Sequence, residues 1–262
     1  MADMFRLDGK VVVVVGAGGG IGEASALAIG QQGAHTVCLD IKADQAAATA
    51  ERIRAAGGTA EAGALDLVDG HATGAALDKV AHDHGRLDGL VCTPAINVRK
   101  PILKYSLEEF DKVVSLNLRG NFAALMAAGK IMVEQKSGSI VLFSSIRSLV
   151  TEPGQSVYSM TKAGILQLAK TAATEWAPHG VRVNAIGPGV IETPLTAPIK
   201  NNPDWYKAYA TKNPMNRWGQ PEEMAGPTVF LLSDAASYIT GTIIYADGGW
   251  LAADGRFTPP GM

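Results

Sequence analysis

Five consecutive valines, Val11 to Val15, run directly into a turn with five glycines in seven residues, Gly16-Ala17-Gly18-Gly19-Gly20-Ile21-Gly22. A continuously apolar run of this length fits a strand buried on both faces, as in a parallel sheet covered by helices. The helical pattern that follows, Ile21 to Gln32, makes the glycines a strand-to-helix turn. Such a turn presents open backbone N–H groups and the positive end of a helix dipole, which suits a phosphate. Gly16 permits the turn, Gly20 lets a diphosphate approach the backbone, and Gly22 lets the helix lie close on the strand. Gly19 and Ile21 complete the cradle. The spacing is G-x-x-x-G-x-G, and no register satisfies G-x-G-x-x-G.

The same alternation continues along the chain. Strand-length runs are expected at His35-Asp40, Gly63-Leu67, Gly89-Cys92, Ser139-Ser144, Val181-Gly187 and Thr242-Ala246. Helical stretches are expected at Asp44-Ala56, Ala72-His84, Leu107-Glu134, Val157-Ala177 and Pro221-Leu232. Strict βα alternation predicts one doubly wound α/β domain over residues 1–262, a parallel sheet of about seven strands with helices on both faces. Ligands of such sheets bind at the carboxyl ends of the strands.

Composition narrows the function. The 262 residues carry a net charge of −2 with no basic block, which argues against nucleic-acid binding. No apolar run approaches membrane-spanning length, and the N-terminal residues lack the pattern of a signal peptide. Cys38 and Cys92 read as reduced thiols of a cytoplasmic protein. No metal site is expected: His82 and His84, at i and i+2 near a helix end, face apart.

Asp40 closes the second strand, where a carboxylate can accept hydrogen bonds from both adenosine ribose hydroxyls and repel a 2′-phosphate. Neither Gly18 nor Gly19 is replaced by a basic residue that would meet that phosphate, and Lys42 only partly offsets Asp40. NAD is therefore the expected cofactor. Tyr158 and Lys162 form the only Y-x-x-x-K pair, on one helix face just after a strand ending in Ser144-Ser145. Hydride exchange with a secondary alcohol needs a group to move the hydroxyl proton, and an unperturbed tyrosine is a poor base at neutral pH. A neighbouring ammonium favours the phenolate, and a serine hydroxyl can hold the substrate oxygen. The S-x-x-K match Ser159-Met160-Thr161-Lys162 and the Lys136-Ser137-Gly138 triplet resemble pieces of penicillin-recognising serine enzymes, but in the wrong order and without S-D-N.

Taken together, these motifs resemble the short-chain dehydrogenase/reductase family over essentially the whole chain. The resemblance implies a Rossmann-type fold, a catalytic tetrad of Asn117, Ser145, Tyr158 and Lys162, and an adenine-contacting pair Asp66-Leu67. It also implies a nicotinamide-holding segment, Pro188-Gly189-Val190-Ile191-Glu192-Thr193, in which Ile191 and Thr193 meet the carboxamide. Asn117 would help anchor a water that relays protons from Lys162. Cys92-Thr93-Pro94-Ala95 departs from the family's Asn-Asn-Ala-Gly, which flanks the cofactor ribose, so cofactor affinity or local geometry is expected to differ there. Val15 replaces a usual threonine.

Arg99 and Arg147 follow strand ends near the same edge and are candidates to fork onto a substrate carboxylate. Residues 190–215, with Trp205, Tyr206 and Tyr209, read either as a lid over the pocket or as a packing helix. Arg99, Thr193-Pro194-Leu195, Arg217-Trp218-Gly219 and Asp247-Gly248-Gly249-Trp250 are similar to sugar-acid and polyol dehydrogenases of the gluconate 5-dehydrogenase type. The other enzyme reading is a 3-oxoacyl-thioester (acyl carrier protein) reductase, and a dinucleotide sensor without turnover is the third. The family resemblance further implies a homotetramer, with a homodimer as the smaller alternative. The tail at 254–262 is proline-rich.

Overall fold

The structure is a computed structural model that describes residues 3–253, so the tail expected at 254–262 lies outside the described residues. Seven strands form one parallel sheet in the order β3-β2-β1-β4-β5-β6-β7. They are β1 (Val11–Val15), β2 (His35–Asp40), β3 (Thr59–Ala64), β4 (Gly89–Cys92), β5 (Gly138–Phe143), β6 (Val181–Pro188) and β7 (Ile243–Ala246). The helices are α1 (Gly20–Gln31), α2 (Ala43–Ala55), α3 (Gly70–His84), α4 (Leu107–Val114), α5 (Asn121–Gln135), α6 (Ser156–Trp176), α7 (Ala197–Lys200), α8 (Pro203–Ala210) and α9 (Ala225–Leu232).

The valine run shows why the sheet is covered on both faces. Val11, Val13 and Val15 enter one core with Leu77 of α3, Leu125 of α5 and Ile165 of α6. Val12 and Val14 enter the other, with Ile29 of α1, Ala50 of α2 and Leu231 of α9. Alternate residues of a strand point to opposite faces, so a strand sandwiched between helix layers must be apolar at every position. Each fully buried valine contributes roughly 1.5–3 kcal/mol relative to exposure.

Three expectations are corrected. The third strand is Thr59–Ala64 rather than Gly63–Leu67. At the sheet edge, only Ala60 of this strand is fully buried, so no apolar run marks it. Leu65 and Leu67 are buried just beyond the strand, where they anchor the chain entering α3. The stretch 107–134 is also not one uniform helix, since a π-helical turn, Ser115–Gly120, separates α4 from α5. Asn121 Nδ2 donates to the carbonyls of Asn117 at 3.1 Å and Leu116 at 3.4 Å within that widened turn. Pro221–Leu232 likewise divides into a 3₁₀ turn, Pro221–Met224, and α9.

The strand order reverses direction between β1 and β4, whose carboxyl ends therefore border the crevice where this architecture binds ligands. Among the described residues, no helix is long and apolar enough to cross a membrane.

Candidate active site

The glycine turn sits in that crevice. Gly16 and Gly20 have φ of +87° and +54°, in the left-handed region that favours glycine. A Cβ on Gly22 would lie 1.9 Å from the Gly16 carbonyl oxygen, so α1 can pack this close to the turn only without a side chain. A Cβ on Gly20 would instead point at Thr193, 3.5 Å away, across the mouth of the groove. Gly19 is the N-cap of α1 and has no side chain to obstruct the helix terminus. Asp40 is clamped beside this cradle by the N–H groups of Gly18 and Lys42, each 2.9 Å from a carboxylate oxygen. A groove of about 530 Å³ runs from Asp40 past Gly20 and Ile21 to Asp66, Thr93 and Thr193. The bare cradle at a helix N-terminus and the fixed carboxylate at the other end fit the diphosphate and adenosine ribose of a nicotinamide dinucleotide.

The unusual Cys92-Ala95 segment has a structural role. Thr93 donates from its hydroxyl to the Val15 carbonyl at 3.0 Å and from its N–H to the same oxygen at 3.1 Å. That hydroxyl lies 2.4 Å from where a Gly16 Cβ would stand, so it ties β4 to the glycine turn. Cys92 is buried beneath, and burial pushes its thiol up to about 12. A thiol held protonated is a packing residue and neither a nucleophile nor a ligand. Cys38 and Cys92 are both free.

Ser145, Tyr158 and Lys162 converge at the end of β5. The Ser145 hydroxyl accepts the Arg147 N–H at 3.1 Å and faces the Tyr158 phenol, whose charged form it favours. Lys162, 2% exposed, lies with Nζ 5.6 Å from the Tyr158 ring centroid and donates to the Phe143 carbonyl at 2.7 Å. Ser144 Oγ closes the turn by donating to the Lys162 carbonyl at 2.7 Å. Asn117, at the π-helical turn, accepts the Ile96 N–H and donates to the Ile96 carbonyl, both at 2.8 Å, and also reaches Thr161 of α6 at 3.3 Å. A π-turn inside a helix often marks a functional site, and here it aims one asparagine between two elements of the crevice. Ser159 instead bonds Thr151 at 3.0 Å, so the S-x-x-K match pairs nothing with Lys162.

The electrostatics differ from expectation in one respect. Burial raises the Tyr158 pKa, and the forces opposing it are Ser145 and then Arg99 and Arg147, rather than Lys162. The reason lies in Lys162 itself, whose ammonium is desolvated until its pKa falls from 10.5 to about 8. Below pH 8 this lysine is charged in both folded and unfolded chains, and the folded state bears the full cost. Between pH 8 and 10.5 the folded chain loses the proton first, and stability recovers. Lys162→Met should therefore raise stability at pH 7 by about 1–2 kcal/mol, with the gain shrinking above pH 8. Denaturant unfolding at pH 7 and pH 10 measures this, and an equal or larger gain at pH 10 would contradict it.

Arg99 and Arg147 are brought together, but by a residue that sequence reasoning missed. Glu152 lies 2.8 Å from Arg147 and 3.5 Å from Arg99, and it also bonds Gln155 at 3.0 Å and the Tyr209 hydroxyl of α8. Arg147 is buried over Trp250 at 5.5 Å, and Arg99 stands over Trp205 at 5.3 Å. No local motif signals Glu152, since two of its partners, Arg99 and Tyr209, come from distant parts of the chain. The segment at 195–214 forms α7, α8 and flanking turns. It packs Ile199 and Tyr209 against Ile146, Val190, Trp218 and Trp250 as a small core above the sheet. Tyr206 stacks on Trp218 at 4.9 Å and donates to Glu192 at 2.6 Å. Pro188 ends β6, Gly189 donates to Ala246 at 3.0 Å, and Ile191 bridges to Gly219, which carries the strand end toward Thr193 at the groove. Asp66 and Leu67 line the groove from the turn after β3 and not from the strand itself.

A family model described as enoyl-(acyl carrier protein) reductase matches residues 16–251. The chain belongs to the short-chain dehydrogenase/reductase family. It is similar to the 3-oxoacyl-[acyl-carrier-protein] reductase of Thermotoga maritima, 36% identical over 94% of this chain and 99% of that one. It is also similar to the 2-dehydro-3-deoxy-D-gluconate 5-dehydrogenase of Pseudoalteromonas atlantica, 34% identical over 96% and 99%. The D-threitol dehydrogenase of Mycolicibacterium smegmatis is 37% identical over 94% of each chain. Among solved structures, the gluconate 5-dehydrogenase of Burkholderia cenocepacia in complex with NADP and tartrate superposes with a TM-score of 0.92 at 30% identity, covering 96% of this chain and 98% of that one. As a member of this family, the chain is an oxidoreductase.

Proposed function

We propose that the protein is an NAD-dependent dehydrogenase acting on a secondary hydroxyl of a polyol or sugar acid. The observation that carries this reading is the convergence of Ser145, Tyr158 and Lys162 at the carboxyl end of β5, in the same sheet whose β2 presents Asp40 beside the glycine cradle and its groove. Gly16, Gly19, Gly20, Ile21 and Gly22 would cradle the diphosphate, with Asp40 on the adenosine ribose and Asp66-Leu67 beside the adenine. Cys92-Thr93 would flank the nicotinamide ribose, and Pro188, Gly189, Ile191 and Thr193 the carboxamide. A nicotinamide held there would supply the hydride acceptor for an alcohol and the hydride donor for a ketone. Tyr158 takes the hydroxyl proton in oxidation and gives it back in reduction. Ser145 holds the substrate oxygen, and Lys162 and Asn117 supply the path by which the proton leaves. NAD is favoured by the Asp40 carboxylate, although the Burkholderia neighbour carries NADP.

The sugar-acid side of the proposal rests on charge. Arg99 and Arg147 share one carboxylate, Glu152, leaving a single net positive charge beside Tyr158. An acidic substrate completes that balance, and the relatives acting on gluconate derivatives agree with it. Arg99→Ala should lower kcat/KM for an acidic substrate about tenfold or more while affecting a neutral polyol much less. Equal losses on both would remove the carboxylate role. A panel of polyols, sugar acids and 3-oxoacyl thioesters, run with NAD and NADP in parallel and followed by NAD(P)H absorbance, tests the whole reading. The thioester arm matters because the Thermotoga relative and the matching family model are both named for acyl carrier substrates. Binding of dinucleotide with silence across every substrate would favour a sensor.

Assembly as a homotetramer is part of the same proposal. Phe122 and Met126 of α5 and Met160 of α6 are 49%, 56% and 44% exposed, an apolar face suited to pairing with a second copy.

A further inference from the structure

The end of the sheet opposite the crevice holds a cluster that the dehydrogenase reading does not use. His35 opens β2, Glu61 lies on β3, and His84 is the last residue of α3. Sequence alone places His84 at a solvated helix terminus beside His82. In the fold it turns away from His82, which pairs with Asp83 at 3.2 Å, and packs its ring 4.4 Å from that of His35. Both imidazoles present Nε2 to the same carboxylate oxygen. His84 Nε2 lies 3.0 Å from Glu61 Oε1, and His35 Nε2 lies 3.9 Å from it. The second separation exceeds a hydrogen bond, and His35 Nε2 has no partner although it is shielded from solvent.

We propose that His35, Glu61 and His84 form a binding site for a divalent transition ion of the zinc class. Their three donor atoms lie within 4.8 Å of one another. Tetrahedral zinc with nitrogen and oxygen ligands near 2.0–2.1 Å separates its ligand atoms by roughly 3.3 Å, so the observed spacings bracket the requirement and small χ rotations close it. Two imidazoles and one carboxylate select zinc, cobalt or nickel over magnesium or calcium, which prefer all-oxygen sets. The Glu61 side chain is 48% exposed and those of His35 and His84 are 28% and 23%, which leaves an entry path and a position for water. The nearby cation Lys79 is engaged by Asp83.

The ion would clip β2, the edge strand β3 and α3 together. β3 needs such a clip because Thr59-Ala60-Glu61-Ala62-Gly63-Ala64 has no large apolar side chain to hold the edge. Asp40 stands at the opposite end of β2, roughly 17 Å away at 3.3 Å per residue, so the ion is structural and takes no part in turnover.

Calorimetric titration of the whole protein with zinc chloride at neutral pH should show one equivalent bound per chain. Cobalt should give the visible absorption of a four-coordinate site. His35→Ala and His84→Ala should each weaken zinc binding about tenfold or more, and Glu61→Gln should do the same with less risk to folding. His82→Ala should bind as the unaltered protein does, and dehydrogenase activity should persist in all four variants. No binding up to roughly millimolar zinc, binding retained when His35 and His84 are both replaced, or binding lost with His82 would each overturn the site.

Discussion

Replacing Tyr158 by phenylalanine should lower kcat by about 10³-fold while leaving dinucleotide affinity within a few-fold of its original value. The substitution removes only the phenolic oxygen that faces Ser145, and the ring keeps its place over Lys162. The neighbouring cations are engaged elsewhere. The Lys162 ammonium faces the Phe143 carbonyl, and Arg99 and Arg147 are committed to Glu152. Steady-state kinetics on the best substrate from the panel, with fluorescence titration of NADH for binding, measures both quantities. A loss below tenfold would move the acid–base role to another residue. A parallel collapse of NADH binding would mean that the substitution disturbs the groove rather than the chemistry.

Asp40→Ala should shift the ratio of kcat/KM for NAD against NADP toward NADP by about 100-fold or more. Two effects add. The carboxylate would accept charge-assisted hydrogen bonds from the ribose hydroxyls, each worth roughly 1.5–3 kcal/mol. It would also repel a 2′-phosphate by about as much again at the dielectric of a partly buried site. The carboxylate is held on two backbone N–H groups at 2.9 Å, so it cannot swing aside to admit the phosphate. Ratios of kcat/KM for both cofactors with one substrate test this. An unchanged ratio would show that Asp40 is not the discriminating residue, and a wild-type preference for NADP would remove the premise.

Much of the fold and of the candidate site is legible in the chain because the signals are local. Val11-Val15 marks a doubly buried strand, and Gly16, Gly20 and Gly22 mark a turn that side chains would block. Tyr158 and Lys162 share a face through helical spacing alone. Edge strand β3 was displaced by several residues because an edge buries only part of one face and leaves no apolar run to read. The π-turn at Asn117 was missed for a different reason, since helical periodicity continues across it and only the bonds to Ile96 and Thr161 show where the helix widens.

The sequence by itself therefore determined the strand–helix alternation, the glycine turn and the pairing of Tyr158 with Lys162, each written within a few residues of backbone or one helix face. The tertiary structure alone decided which charges meet. Glu152 meets Arg99 and Tyr209 from distant segments, and His35, Glu61 and His84 become neighbours only when β2, β3 and α3 align. Electrostatic partners act through space over a few ångströms, and no periodicity along a chain records which distant residues the packing of its helices will bring that close.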